Sequence, residues 1–263
     1  MDEKNETGAD AFGRVDYRRF VAWTRRIERE APFLKCVLEK APSMRVLDLG
    51  CGTGEHSRFL NSLDCEVVGV DRSATMIRKA KEEPVRGGVE FVLGDIRELP
   101  PLLTAEFGMA IALGNTLTGL VENEDLEKFL SGLRTVTDGG ALFLFQILNY
   151  KRIFSQGIRY LPLNLVDDDD GSTTIFLRLM NRLPKGRVEF CPSTLKYDPE
   201  SDPPLLVTQS QVITLRGWHL EELQGQLQDT GFEVEGVYGD MLGGVFDPEE
   251  SHDLVVLSRR TAD

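Results

Sequence analysis

The stretch Arg45-Val46-Leu47-Asp48-Leu49-Gly50-Cys51-Gly52-Thr53-Gly54 decides how this chain is read. An apolar run, Val46 to Leu49, stops at three glycines in alternate positions, and His56 to Leu63 then recover helical spacing through Phe59, Leu60 and Leu63. The pattern predicts a strand, a tight glycine turn and a helix. Alternate glycines remove Cβ atoms where the chain bends sharply and where a ligand must approach the backbone, so the turn can cradle a nucleotide-like cofactor.

Two features narrow the cofactor. A dinucleotide site reads G-x-G-x-x-G, but here Glu55 stands three residues after Gly52, and Asp48 stands two before Gly50. Both carboxylates would repel a pyrophosphate. S-adenosylmethionine has no phosphate, a cationic sulfonium and ammonium, and a ribose diol, so it tolerates acids around the turn. A second apolar run, Val67 to Val70, ends in Asp71. A carboxylate at the tip of the second strand of a doubly wound sheet is placed to accept both ribose hydroxyls.

With these residues the chain resembles the class I, Rossmann-like family of S-adenosylmethionine-dependent methyltransferases, over roughly Arg45 to Leu148 and again over Trp218 to Ser258. The resemblance implies an α/β fold with a doubly wound seven-stranded sheet, mostly parallel, its last strand reversed. It also implies S-adenosylmethionine as methyl donor and S-adenosylhomocysteine as product. The donor residues it implies are Asp48, Gly50, Cys51, Gly52 and Gly54 in the turn, Asp71 on the ribose, and Arg72 and Met76 along the adenine. Asp95 would accept the exocyclic amine and Ile96 would pack on the ring. The tip Leu113-Gly114-Asn115 would face the sulfonium. It lacks the Asn/Asp-Pro-Pro-Tyr/Phe of nucleobase and glutamine methylating enzymes and is similar to the glycine N-methyltransferase type. In that type a helix before the first strand carries an arginine for the methionine carboxylate. Arg26 is the candidate here, with Arg25 and Arg29 beside it and a solvated helix face as the other reading. Asn115, Tyr150 and Tyr17 are candidates for positioning an acceptor; Tyr17 and Trp23 can equally face the core, and Asn115 can equally be a turn residue.

At 263 residues the chain can bury one α/β core with an embellishment. A formal net charge of −13 argues against a surface for a phosphate backbone, which depends on clustered Lys and Arg, so a nucleic acid partner is not expected and a small-molecule acceptor is. Cys36, Cys51, Cys65 and Cys191 are scattered with no C-x-x-C pair, which suggests reduced thiols in a cytoplasmic protein and no metal site. No apolar run approaches the roughly 18 residues of a membrane span, and Met1 to Asp10 is polar with no signal-peptide core. Asp167 to Asp170, followed by Gly171, reads as a solvated turn.

The organisation expected is N-terminal helices over 1–44, a donor-binding core over 45–150 and 216–263, and an inserted antiparallel sheet over 151–215. Residues before about Gly13 read as disordered. A helix is expected from Arg14 to Glu30, and Pro32 is expected to open another. Ser73 and Asn123 are expected to cap helices. Strands are expected over Val89 to Leu93, Phe107 to Leu113, Ala141 to Leu148, Phe232 to Tyr238 and Asp253 to Ser258, with a helix bearing Leu220, Leu223 and Leu227 that stops at Gly231. Gln146, Asn149, Tyr150 and Arg152 would put polar groups at the ligand edge of the sheet. The insert reads as strands over Ser172 to Leu179, Arg187 to Phe190 and Leu205 to Leu215. It is expected to act as a lid or homodimer surface, dispensable for the donor.

Methyl transfer is an in-line displacement at a carbon already activated by the sulfonium, so alignment and exclusion of water suffice, and a general base is optional. None of His56, His219 and His252 is obviously poised to be one. Acidity, the Leu-Gly-Asn tip and the insert favour a small-molecule methyltransferase. A protein or nucleic-acid methyltransferase would need a basic groove, and a non-enzymatic S-adenosylmethionine-binding protein would lack an acceptor cavity.

Overall fold

The computed structural model describes residues 17–84, 87–99, 103 and 106–262. The reading of the first residues as disordered, and Val15, lie outside the described residues. A seven-stranded sheet forms the centre, in the order β11-β12-β5-β4-β1-β2-β3. Its strands are β1 (Arg45–Leu49), β2 (Glu66–Asp71), β3 (Val89–Leu93), β4 (Phe107–Ala112), β5 (Thr137–Leu148), β11 (Phe232–Tyr238) and β12 (Asp253–Arg260). The first five pair in parallel, while β12 runs antiparallel between β5 and β11. The strand order reverses at β1, which lies between β2 and β4, and this switch point opens a crevice at the carboxyl ends of the strands.

The helices alternate with the strands and cover both faces. They are α1 (Tyr17–Phe20), α2 (Trp23–Leu38), α3 (Glu55–Asn61), α4 (Ala74–Glu82), α5 (Asn123–Val136), α6 (Tyr150–Ser155) and α7 (Leu220–Asp229). On one face Val46, Met109, Ile111, Leu142 and Leu144 pack with Leu34, Val37 and Leu38 of α2. On the other, Leu47, Leu49, Phe143 and Phe145 pack with Leu126, Phe129 and Leu133 of α5 and with Leu223 and Leu227 of α7. Alternate residues of each central strand thus feed two separate cores, as a sheet buried on both sides requires.

The N-terminal expectation needs correction. The chain breaks between α1 and α2, and Pro32 lies inside α2 instead of opening a helix. Glu30, Leu34, Val37 and Leu38 make the buried stripe of α2, at i, i+4, i+7 and i+8. Pro32 is exposed on the opposite side, where water can satisfy the carbonyl it leaves unpaired. Ser73 caps α4 as expected, its Oγ accepting from Met76 N at 3.2 Å. Asn123 is the first residue of α5, whose N-cap is Glu122.

The insert forms a second sheet, ordered β10-β8-β7-β6, with β9 also on β8. Its strands are β6 (Asn164–Asp167), β7 (Thr173–Arg182), β8 (Arg187–Tyr197), β9 (Leu205–Ser210) and β10 (Ile213–Arg216). It has five strands where three were expected: β6 was masked by the acidic run that ends it, and Leu205 to Leu215 divides into two. Met180, Val188, Phe190, Ile213 and Leu215 on its inner side join the α5 and α7 core. At the tip of the β6–β7 hairpin the aspartates are paired: Asp168 accepts from Arg19 and Thr174, and Asp170 from Lys196.

Candidate active site

A cavity of about 710 Å³ lies at the carboxyl ends of β1, β2 and β4, between α2 and the insert. Its floor is the glycine turn. Gly50 and Gly52 both have positive φ, at 68° and 55°. Gly50 N and Cys51 N donate to Val70 O at 2.7 and 3.1 Å, which ties the turn to the end of β2. A Cβ on Gly52 would meet nothing within 4 Å, so its place is open cavity, whereas one on Gly50 would come within 2.5 Å of Thr116 Oγ1. Cys51 lines the cavity, and its side chain packs with Ile77, Ala80 and Phe91. Burial, with Asp48 and Asp71 nearby, pushes this thiol well above its ordinary pKa.

Gly54 is not part of the cavity wall. Its missing Cβ lets Phe91 approach, since an added one would lie 2.5 Å from the ring, so this glycine serves the packing of α3 on β3. Glu55, the carboxylate that counted against a pyrophosphate, is paired with Arg18 at 2.7 Å and accepts from Thr53 Oγ1 at 2.6 Å. Asp48 is buried and accepts from Ser57 Oγ at 2.6 Å. Burial raises its pKa, against the opposing charge of His56 and the Ser57 hydrogen bond.

Asp71 stands at the end of β2 with one oxygen accepting from Gly52 N and the other from Ser73 N, both at 2.9 Å. These two bonds orient the carboxylate at the edge of the cavity, which it lines. Arg72, Met76 and Ile96 line the adjoining wall. Asp95 is there too, but Arg97 already forks its carboxylate, Nη2 to Oδ2 at 2.6 Å and Nε to Oδ1 at 3.0 Å. Burial alone would raise the Asp95 pKa; the Arg97 hydrogen bonds outweigh it and hold the carboxyl below its ordinary value.

At the β4 tip, Leu113, Gly114 and Asn115 line the cavity. Gly114, at φ 69°, has open space where a Cβ would stand. The Asn115 side chain is engaged below the tip: Nδ2 donates to Tyr150 Oη at 2.9 Å, and Oδ1 accepts from Leu148 N at 3.0 Å. Tyr150 is only 1% exposed and lies outside the cavity lining. Its burial pushes the phenol up to about 12, despite hydrogen bonds with Asn115 and Thr118. Tyr150 is thus packed beneath the tip, away from the cavity. Asn149 and Arg152 also leave the site: Asn149 is buried and donates to Pro248 O and Ser251 O, and Arg152 reaches His252. Tyr17 opens α1, but its side chain lies outside the described residues.

Of the polar residues expected at the β5 end, Gln146 does line the cavity. Its Oε1 accepts from Gly114 N at 2.8 Å and its Nε2 donates to Asp253 Oδ1 at 2.9 Å. Burial raises the pKa of Asp253, against the Gln146 bond and the charges of Arg26 and His252. Across from it Arg26 Nε donates to Glu30 Oε1 at 2.8 Å, and His56 Nε2 lies 2.7 Å from Glu30 Oε2. The upper wall is apolar. Phe20 from α1 and Phe176, Phe190 and Leu215 from the insert line it, with Asn164 and Arg178 as its polar members.

Sequence reading missed Glu30, His56, Asp253, Arg97 and the aromatic wall. Arg26 and Glu30, four apart on α2, offered a local signal. Arg97 stands two residues from Asp95, which is also local, whereas His56 and Asp253 depend on partners far along the chain, Glu30 and Gln146.

Residues 46–140 match the family described as methyltransferase domain. The glycine/sarcosine N-methyltransferase of Aphanothece halophytica is 30% identical over 141 residues, 53% of either chain, and that of Halorhodospira halochloris is 30% identical over 159 residues, 59% of either chain. The aligned part thus spans little more than half of these relatives. Similarity in structure extends further: the methyltransferase CcbJ of Streptomyces caelestis covers 90% of both chains at a TM-score of 0.71 and 25% identity. CalS10, an amino pentose methyltransferase of Micromonospora echinaspora solved with its methyl donor bound, covers 93% of this chain and 94% of its own at a TM-score of 0.68 and 20% identity. Residues 46–140 thus match the methyltransferase-domain family, within a chain whose overall fold is that of these solved methyltransferases.

Proposed function

We propose that this protein is an S-adenosylmethionine-dependent methyltransferase acting on a small-molecule acceptor. The observation that carries the reading is the cavity itself: one wall has a glycine turn, the Asp71 carboxylate and an open Gly114 tip, and the other is a roof of aromatic and aliphatic side chains. A volume of about 710 Å³ is within the range of small-ligand pockets, and it leaves room beside a donor. The two curated relatives are named for glycine and sarcosine, which supports an amine acceptor, and the acidic chain disfavours a polyanion. When bound, the donor supplies a methyl group on a sulfonium, which the acceptor lone pair displaces in line.

The chain's own residues then have separable tasks. The backbone at Gly50 to Thr53 and the Asp71 carboxylate hold the nucleoside, with Arg72, Met76, Asp95 and Ile96 along the base. Arg26 takes the amino-acid end. Leu113 to Asn115, braced by Gln146 and Tyr150, border the reacting carbon. Phe20, Phe176, Phe190 and Leu215 exclude water and orient the acceptor, so the insert over 151–215 serves as roof and the 45–150 and 216–263 parts as donor core. Free thiols support a reducing, cytoplasmic setting, and the exposed outer side of the insert, with Leu165 and Val207, supports a homodimer. Among the described residues no helix is long and apolar enough to cross a membrane.

Calorimetry with S-adenosylhomocysteine tests the donor half, and mass spectrometry of small amines incubated with protein and donor tests the other. Micromolar or tighter binding and a mass gain of one methyl group on an amine are expected. No heat with the homocysteine product would overturn the reading.

A further inference from the structure

We propose that Glu30, backed by His56, is a positioning residue that holds the Arg26 guanidinium as a fork for the carboxylate of the donor's amino-acid end. The proposal rests on the donor reading above and adds to it two residues that no sequence motif marks.

The geometry is a closed relay. Glu30 Oε1 accepts from Arg26 Nε at 2.8 Å, and Glu30 Oε2 meets His56 Nε2 at 2.7 Å. Each oxygen of the carboxylate is thus held by a different partner, one from α2 itself and one from the first turn of α3. The Glu30 and His56 side chains are each only 10% exposed, and both line the cavity beside Arg26. Trp23 closes the arrangement: Arg26 lies over its ring at 5.1 Å, and His56 meets it at 5.7 Å with planes at 87°. The guanidinium plane is therefore set by Nε on one side and by the indole on the other.

A guanidinium has five N–H donors, and Glu30 engages only the one on Nε. The two Nη groups make no hydrogen bond among the described residues, and they are the pair that binds a carboxylate in bidentate fashion. Arg25 and Arg29, on the same helix and also at the cavity, are exposed and have no comparable anchor among the described residues. A negative charge behind Arg26 opposes an incoming carboxylate, so the net gain comes from orientation: an arginine held in one rotamer does not lose that freedom on binding. Burial works against ionising Glu30, but its bonds to His56 and Arg26 outweigh this and hold its carboxyl below the ordinary value.

The test compares two ligands by calorimetry on the full chain. S-adenosylhomocysteine carries the amino-acid end; 5′-methylthioadenosine has the same nucleoside and thioether without it. Glu30→Gln and, as a second variant, His56→Gln should each weaken S-adenosylhomocysteine by about 10-fold while leaving methylthioadenosine within about 2-fold. With Arg26→Met already present, Glu30→Gln should cost S-adenosylhomocysteine almost nothing more, because residues acting through one another are not additive. The proposal is overturned if both variants weaken the two ligands equally, which is what a merely structural role predicts. It is also overturned if folded variants bind S-adenosylhomocysteine as the wild type does, or if the Arg26 and Glu30 effects add. Failure of the wild type to bind either ligand would overturn the donor reading itself, and this proposal with it.

Discussion

Phe20 and Phe176 stack with ring centroids 4.8 Å apart and planes inclined by 21°, joining the end of α1 to the second strand of the insert across the cavity. Two segments separated by most of the donor core thus share one contact, reinforced by Asn164 Nδ2 donating to Phe20 O at 3.0 Å and by Arg178 over the Phe176 ring at 5.2 Å. Stacking of this kind contributes about 0.5–1.5 kcal/mol beyond area burial. Phe176→Ala should lower the melting temperature and keep S-adenosylhomocysteine affinity within a few-fold. Turnover of an acceptor identified by the amine screen should fall at least about 10-fold, because the roof no longer excludes water. Equal losses of affinity and turnover would show that Phe176 serves the donor instead.

Asp71→Ala removes a carboxylate that faces the cavity and also releases Gly52 N and Ser73 N. Loss of one charge-assisted bond to a ribose hydroxyl contributes about 1.5–3 kcal/mol, so S-adenosylhomocysteine should bind about 10- to 100-fold more weakly. Calorimetry checks this, and unchanged affinity would remove Asp71 from the donor site.

Gly52 and Gly50 should separate binding from folding. A side chain at Gly52 points into open cavity, so Gly52→Val should stay folded by circular dichroism, with a backbone strain of about 1–3 kcal/mol, and lose donor binding. At Gly50 an added Cβ meets the Thr116 side chain, so Gly50→Ala should lower stability as well. Normal donor binding by Gly52→Val would mean that the turn is not the cradle.

The glycine turn, the acid-tipped β2, the Ser73 cap and the reversed final strand were legible because each is written in consecutive residues. β11 was even bounded correctly, since Gly231 and the alternation from Phe232 to Tyr238 are local signals. The insert was legible in kind but not in strand count, because four aspartates conceal the end of β6 and the turn after it. Tyr150 lies away from the expected ligand edge for a different reason. A tyrosine after a sheet's carboxyl end points to the ligand or away from it according to the helix that follows, and α6 turns it into the core under Asn115. Glu30 went unmarked in the sequence because its partner His56 comes from α3.

Two buried acids of the site should pull stability in opposite directions with pH. Asp48 has a folded pKa above its unfolded value of about 3.9, so its contribution favours the fold at low pH and is lost as pH rises from about 3.9 through the raised folded value. Glu30 has a folded pKa below its unfolded value of about 4.3; its contribution is present above that and lost as pH falls through the lowered value. Asp48→Asn keeps an acceptor for Ser57 and removes the buried charge. It should melt higher than the wild type near pH 7, with the difference shrinking toward about pH 4. A constant difference across that range would mean that ionisation of Asp48 carries no cost.

Replacing residues 151–215 by a Gly/Ser linker tests how far the insert is separable from the donor core. The sequence suggests a lid that can be removed, but Met180, Val188, Phe190, Ile213 and Leu215 are buried in the same core as Phe129, Phe143 and Trp218. Each such side chain contributes about 1.5–3 kcal/mol on burial, so five together amount to about 7–15 kcal/mol, as much as the whole stability of a typical domain. The deletion should therefore lose its cooperative thermal transition and with it donor binding. Shortening only the exposed loop at residues 198–204, far from this inner side, should leave both the transition and S-adenosylhomocysteine affinity intact. A deletion variant that melts cooperatively near the wild-type temperature would show that the insert's inner side is not needed by the core, and would restore the reading of a removable lid.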